Sequence, residues 1–506
     1  MKKIIICLCF VFFTASFPIN TFAQRHNPDL TPSFIYRSWG DSGARMAVRA
    51  PAAYIFQRSI TTSDWGLDIT ITPVEITSFG DNLYIVCNTT NAVYILDNDY
   101  NLINIIDHIE GLEEPTLRAP EGVFVTDYDS IYIADTFNNR ILLVDSNGNL
   151  IHEFLDPGIM MLGERVTFLP SKVAVDHADR IFVVGRQINR GIIELSPNGE
   201  FRAFVGAPQV RMEFTEVIRR FFMTDEQLAR MSRFVPTEYN NITVDSVGFV
   251  FGTIGTVDPQ EIMRARTMPS GDTPERAKPV KRLSPAGNDI MQRRGNVPII
   301  GSLDMYMSGT HSFIVDVDVR PDGIFSILDQ RNSRVFTYDM YGNLLFIFGN
   351  QGTQLGSFHS PSSLTFKDDY IIVTDQVLGS ISIFEPTAYG SMLLLAVNLD
   401  YNGRFTEASE LWNSLLLLNS NLQLAYSGIG RMHYRNGDLE LAIEYFRTAW
   451  DFHNYNLAKE LLRKEIIARY FPLFFGSVVL LIGFLVTKGV IAKLRRIKEE
   501  ETGDYV

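Results

Sequence analysis

The sequence predicts a mainly β protein: a six-bladed β-propeller closed by an N-terminal strand, followed by α-helical hairpins and one transmembrane helix. Three observations carry this. A unit of four short strands recurs six times at a spacing of about 40 to 50 residues. The last copy lacks its fourth strand, while an orphan strand precedes the first copy. After Met392 the apolar period changes from alternating to helical.

The clearest unit is Ala119–Leu155. Val123–Thr126, Ile131–Ala134 and Ile141–Val144 are apolar and mostly β-branched, and Leu150–Leu155 alternates. Turn clusters separate them at Asp127–Ser130, Asp135–Asn139 and Ser146–Asn149. Copies follow at Pro73–Ile106, Pro170–Val205, Phe313–Gly349 and Pro361–Phe384, with an interrupted one at Pro236–Met291. Such repeats are the mark of propeller blades. The strand Tyr54–Ile60 is free to complete the last blade, and ring closure removes exposed sheet edges.

The pattern P-x-G-V from Pro120, continued as IYIADT-x-NNRI-x-x-VD-x-x-G to Gly148, resembles the NHL-repeat β-propellers. The resemblance covers roughly 54–385 and implies six blades. It implies little chemistry, because that family includes RNA binders, extracellular sensors, peptide-amidating lyases and gluconolactonase-like enzymes.

Over 506 residues, 46% apolar content supports large cores, and a net charge of −13 argues against a nucleic-acid partner. Residues 1–23 read as a secretion signal: Lys2-Lys3, the apolar run Ile4–Phe17, then Thr21 and Ala23 at the −3 and −1 positions. Cleavage there leaves Cys87 as the only cysteine, predicted to be a small buried apolar group. Residues 24–52 read as an extended lead-in to a propeller spanning 53–390. Two insertions, 207–235 and 257–279, interrupt the ring. Phe214–Phe234 has helical character, with Thr224 and Gln227 spaced as a capping box, and Val257–Pro279 reads as a mobile polar loop.

In 391–469, Gly403 and Gly437, Ala408 and Ala442, and Trp412 and Phe446 each stand 34 positions apart. Small and large residues at this spacing resemble tetratricopeptide repeats, which implies helical hairpins that bind a protein partner. Residues 470–492 are apolar and long enough to span a bilayer. Lys488 sits near its end, where it can snorkel to the interface, and Lys493, Arg495, Arg496 and Lys498 come after it, so the positive-inside rule places the tail 493–506 in the cytoplasm. The expected location is the cell membrane, with a single span and a large extracytoplasmic N-terminal region.

No G-x-S-x-G, Walker, H-E-x-x-H or mature C-x-x-C motif is present. The start of each inner strand should line the channel mouth: Glu75, Gly122, Lys172, Asn240 or Asn241, Asp316 and Ser363. Carboxylates, an amine and amides converging there suit a hydroxyl-rich ligand or a cation. The aspartates Asp135, Asp329 and Asp375 recur from blade to blade, which marks them as builders of the blade turn.

The reading is therefore a recognition or scaffold protein with no predicted cofactor, whose propeller binds a ligand or protein partner. The architecture resembles exported bacterial proteins encoded beside carbohydrate-uptake systems, which implies a glycan-related ligand. The rival is a metal-dependent lactonase or lyase holding a divalent cation at the central channel. A third reading is a mechanical spacer that displays the propeller away from the membrane.

Overall fold

The computed structural model describes residues 33–39, 44–161, 164–206, 238–255, 257–268, 270–303 and 311–503. The stretches predicted as a secretion signal, as the start of the lead-in and as the helical insertion Phe214–Phe234 lie outside these.

Six antiparallel sheets form the ring. Their inner strands are Pro73–Phe79, Gly122–Asp127, Pro170–Val175, Tyr239–Val244, Ile314–Val319 and Pro361–Lys367. Each touches the next, and the sixth returns to the first. The middle strands are apolar on both faces because each blade is sandwiched between two others; all five residues of Val250–Ile254 are buried, for example. Six buried clusters fill the gaps between consecutive blades. One of them joins Ile372, Ile381 and Ile383 of the last blade to Ile76, Leu83 and Ile85 of the first.

Closure is by the orphan strand. Tyr54–Ile60 pairs antiparallel with Ser380–Pro386, from Tyr54 opposite Pro386 to Ile60 opposite Ile381. The fourth blade has three strands, its outer edge reduced to a single bridge between Leu283 and Asp289.

The lead-in is more structured than its composition suggests. Phe34–Trp39 and Ala44–Arg49 form a hairpin that extends the fifth blade to six strands, with Phe34 opposite Ile347. Arg45 fastens this hairpin by donating to the carbonyls of Asn296, Arg266 and Met268. The insertion 257–279 is not a free loop, as its four prolines had suggested. Pro259–Ala265 is a helix (α1), capped by Asp258 accepting from Gln260 N and Glu261 N. Ile262, Ala265 and Ala277 are buried against the fifth blade.

Five helices follow: Ala388–Tyr401 (α2), Phe405–Leu418 (α3), Gln423–Asn436 (α4), Leu439–Thr448 (α5) and Phe452–Gly503 (α6). Gly403 and Gly437 take φ of 76° and 87° where α2 and α4 end, a left-handed conformation that favours glycine. The equivalent positions Ala408/Ala442 and Trp412/Phe446 are all buried. Gly428 lies against the Trp412 indole, and a Cβ there would come within 2.3 Å of Nε1.

The helices share a core with the propeller. Tyr389, Leu393, Leu394 and Trp412 belong to the same buried cluster as Tyr54, Phe346, Phe358 and Phe384. Thr387 N donates to Ala53 O at 2.9 Å, which ties the start of α2 to the closing strand.

The last helix, α6, spans 52 residues, or about 78 Å, and runs through Pro472 without ending. Its stretch from Tyr470 to Val486 is uncharged with its large apolar side chains exposed, making it the one described helix long and apolar enough to cross a membrane. The helix continues past residue 493 into the charged tail. Lys, Arg, Ile and Glu are good to fair helix formers, and no glycine or proline falls between Val490 and Thr502.

Candidate functional site

The bulges of the inner strands build the channel mouth. Five of the six inner strands shift register at the same place: Pro73/Glu75, Pro170/Lys172, Tyr239/Asn241, Ile314/Asp316 and Pro361/Ser363. A bulge sets two residues against one partner and re-aims a side chain. The predicted residues do come together, and they meet one another.

Asp316, buried, accepts from Asn241 Nδ2 and Ser363 Oγ, both at 2.5 Å, and from the backbone N–H of Val317 and Leu364, both at 2.7 Å. Ser363 Oγ accepts in turn from Ile76 N at 3.1 Å. Blades four, five, six and one are thus joined side by side. Lys172 Nζ pairs with the Glu75 carboxylate, linking blade three to blade one. Between them blade two offers only Gly122, where a Cβ would sit 2.7 Å from Ser171 O and 2.9 Å from Lys172 Cα.

Asn240 sits on the bulge beside Asn241 and donates to Ile314 O of the next blade at 2.8 Å. Burial pushes the Glu75 carboxyl up to about 8, with Lys172 opposing that shift. Asp316 is raised by burial, and the hydrogen bond from Ser363 pulls it the other way. Sequence spacing located this ring. That its polar groups are taken up by each other depends on which rotamers meet across the axis.

The recurrent aspartates build blades, as their repetition indicates. Asp135 accepts from Arg118 N, Asn138 Nδ2 and Arg140 Nε. Asp329 and Asp375 accept from backbone N–H groups in the same way. Cys87 holds the corresponding place in blade one, fully buried, with Thr72 N donating to its Sγ at 3.2 Å. Among the described residues, no three His, Cys, Asp or Glu side chains stand close enough to share a metal ion.

An open cavity lies elsewhere. A cleft of about 510 Å³ separates the fifth blade from the C-terminal helices. Its propeller wall carries Tyr36 of the hairpin, the Arg294–Val297 connection and Tyr341–Leu344; its helical wall carries Asp400–Phe405, α4 and the first turn of α6.

Direct bonds fix the two walls to each other. Asn296 Nδ2 donates to Ala449 O at 3.0 Å, Arg37 to Asn421 Oδ1 at 2.6 Å, and Ser38 N to Gln423 Oε1 at 3.1 Å. On the helical wall, Arg431 pairs with Asp400 and donates to Ser427 Oγ at 2.9 Å, and Ser427 donates to Asp451. Tyr341 and Tyr401 face each other across the cleft with ring centroids 6.4 Å apart. No local motif announces this site, because its residues come from six separate stretches that are ordinary in their own contexts.

Fold and cavity together define a six-bladed β-propeller with a helical unit packed on one side and a polar cleft between them. No known protein family matches the chain, and no curated protein matches it. Solved structures do. Virginiamycin B lyase from Staphylococcus aureus is similar at 11% identity and a TM-score of 0.41, covering 66% of this chain and 100% of that one. A protein of unknown function from Bacteroides thetaiotaomicron aligns at 9% identity and 0.39, covering 70% and 76%. Another from Bacteroides caccae aligns at 10% and 0.35, covering 66% and 97%.

Proposed function

We propose that this protein is a membrane-tethered recognition module of NHL-propeller and tetratricopeptide-like type, whose ligand sits in the cleft between propeller and helices. In this reading the N-terminal region lies outside the cytoplasm, α6 is the anchor, and the helical repeats also engage a second protein. The axial ring of Glu75, Lys172, Asn240, Asn241, Asp316 and Ser363 then serves to pin the blades together.

The observation that supports this is the contrast between two polar sites. At the axis the charged and amide groups are taken up by each other. The cleft is open, falls in the range of ligand pockets, and has walls held apart by fixed bonds, so little ordering remains to be done on binding.

The test is site-specific photo-crosslinking of the full chain in its own membrane, with the photoreactive residue at Tyr401, at Asn402 or at Ser363. Adducts are expected from the cleft positions and not from Ser363. Adducts from Ser363 alone would return the ligand to the axis. A cysteine at Asn147 should react with a membrane-impermeant thiol reagent in intact cells; labelling only after lysis would reverse the orientation.

A further inference from the structure

The charges lining the cleft are unevenly used. Asp400 and Asp451 are both engaged, the first by Arg431 and the second by Ser427 and Asn454. Two arginines are not. Arg294 on the propeller wall lies over the Tyr341 ring at 5.5 Å, and Arg435 on the helical wall lies over the Phe405 ring at 5.3 Å. Both are exposed, and among the described residues neither guanidinium donates a hydrogen bond or forms an ion pair. Each guanidinium lies over a ring and keeps its N–H groups free. Arg431 and Asp400 cancel and Asp451 meets only neutral donors, so these two arginines, one on each wall, leave the lining with a positive balance.

The amides are biased as well. The side-chain nitrogens of Asn296, Asn343, Asn402 and Asn454 are engaged within the protein, by Ala449 O, Asp339, Asn398 and Asp451 respectively. Their carbonyl oxygens remain as acceptors. The cleft thus offers acceptors from its amides, one spare N–H each from Asn296, Asn343 and Asn454, and charged donors from two guanidiniums.

The backbone of an extended peptide offers carbonyls but no carboxylate to the two arginine forks. A polyhydroxy acid matches better: its hydroxyls donate to the amide oxygens and its carboxylates accept from the arginine forks. Half-exposed Tyr401 adds a ring on which a pyranose face can rest.

We propose that the cleft binds an acidic saccharide, with Arg294 and Arg435 reading carboxylates of uronic-acid residues. This rests on the cleft being the ligand seat, and it adds the chemistry of the ligand.

The experiment is calorimetric titration of the full chain in nanodiscs with oligogalacturonate, the neutral oligogalactose of equal length, and tri-glutamate. Oligogalacturonate should bind, the neutral sugar at least tenfold more weakly, and tri-glutamate more weakly still. Arg294→Gln and Arg435→Gln should each weaken oligogalacturonate binding by about tenfold, the size of one charge-assisted hydrogen bond. Arg435→Lys should restore part of the loss, and both arginines are exposed enough for the variants to fold. Equal binding of both sugars, unaffected by either substitution, overturns the charge reading and leaves the cleft as the seat. Tighter binding of tri-glutamate overturns the saccharide assignment. No binding of any of the three, with crosslinks still forming at Tyr401, overturns this inference alone.

Discussion

The Lys172 ammonium and the Glu75 carboxylate pair across the propeller axis, reaching from the third blade to the first over the bare backbone of Gly122. Both side chains are about nine-tenths buried, so each charge depends on the other for solvation. Lys172→Met removes the group that opposes the burial shift, so Glu75 takes up a proton and is left without a partner at a cost of about 1–3 kcal/mol, while Glu75→Leu combined with Lys172→Met should be close to neutral. Urea unfolding of the two variants checks this. Equal loss in both would show that the pair contributes by shape and not by charge.

Gly122 is the spacer that permits this pairing. Gly122→Ala places a methyl against Ser171 O and Lys172 Cα, both under 3.0 Å, and both contacts are with backbone that cannot rotate away. A loss of about 1–3 kcal/mol is expected from such overpacking. The denaturation midpoint measures it, and an unchanged midpoint would show that the second and third blades can slide apart at no cost.

Trp412 tests whether helices and propeller are one cooperative unit. It is fully buried in the cluster that also holds Tyr54 and Phe384. Trp412→Ala should lose about 3–5 kcal/mol, and the loss should appear in the propeller's transition as well. Far-ultraviolet circular dichroism at helix and sheet wavelengths should trace one coincident curve in wild type. Separate transitions would mean that the shared core is only a contact.

Asp145 and Asp339 occupy the same turn in two blades and should respond to pH in opposite senses. Each accepts from the backbone N–H two and four residues on, and from the side-chain amide of the Asn four residues on. Asp145 is half-exposed, and the hydrogen bond from Asn149 holds its carboxyl below the usual range. Asp339 lies buried beneath the helices, and burial pushes its carboxyl up to about 6 despite identical bonds. Desolvation outweighs the hydrogen bonds there. The Asp339 contribution is therefore fully present below about pH 4 and falls as pH rises to about 6; that of Asp145 is present above pH 4 and falls as pH drops. Thermal unfolding of Asp339→Asn and Asp145→Asn between pH 3.5 and 7 should show slopes that differ from wild type with opposite sign.

The ring was legible in the sequence because every blade repeats the same turn chemistry, and the missing fourth strand of one copy points to Tyr54–Ile60. The hairpin Phe34–Arg49 was not, since its partner strand, Leu344–Phe348, lies some 300 residues away and nothing local marks the pairing. Four prolines disguised α1, although Asp258-Pro259 is a cap followed by a first-turn proline, which starts a helix and does not prevent one. At the axis, spacing found the residues but not their mutual bonds. The bulge explains why Asn240 and Asn241 could not be told apart: both act, one on the backbone of the next blade and one on Asp316. The cleft could not be read at all, because a cavity between two units is a property of how they dock.

The joint between Tyr54–Ile60 and Ser380–Pro386 also sets a timetable. The two strands are made roughly 320 residues apart, so at 5–20 residues per second the first waits on the order of tens of seconds for its mate. Throughout that interval a half-apolar ribbon with unpaired amides hangs from the growing molecule. Biogenesis should therefore depend on a holding factor that shields the early ribbon, and crowding of nascent chains should be most damaging just before residue 386 emerges.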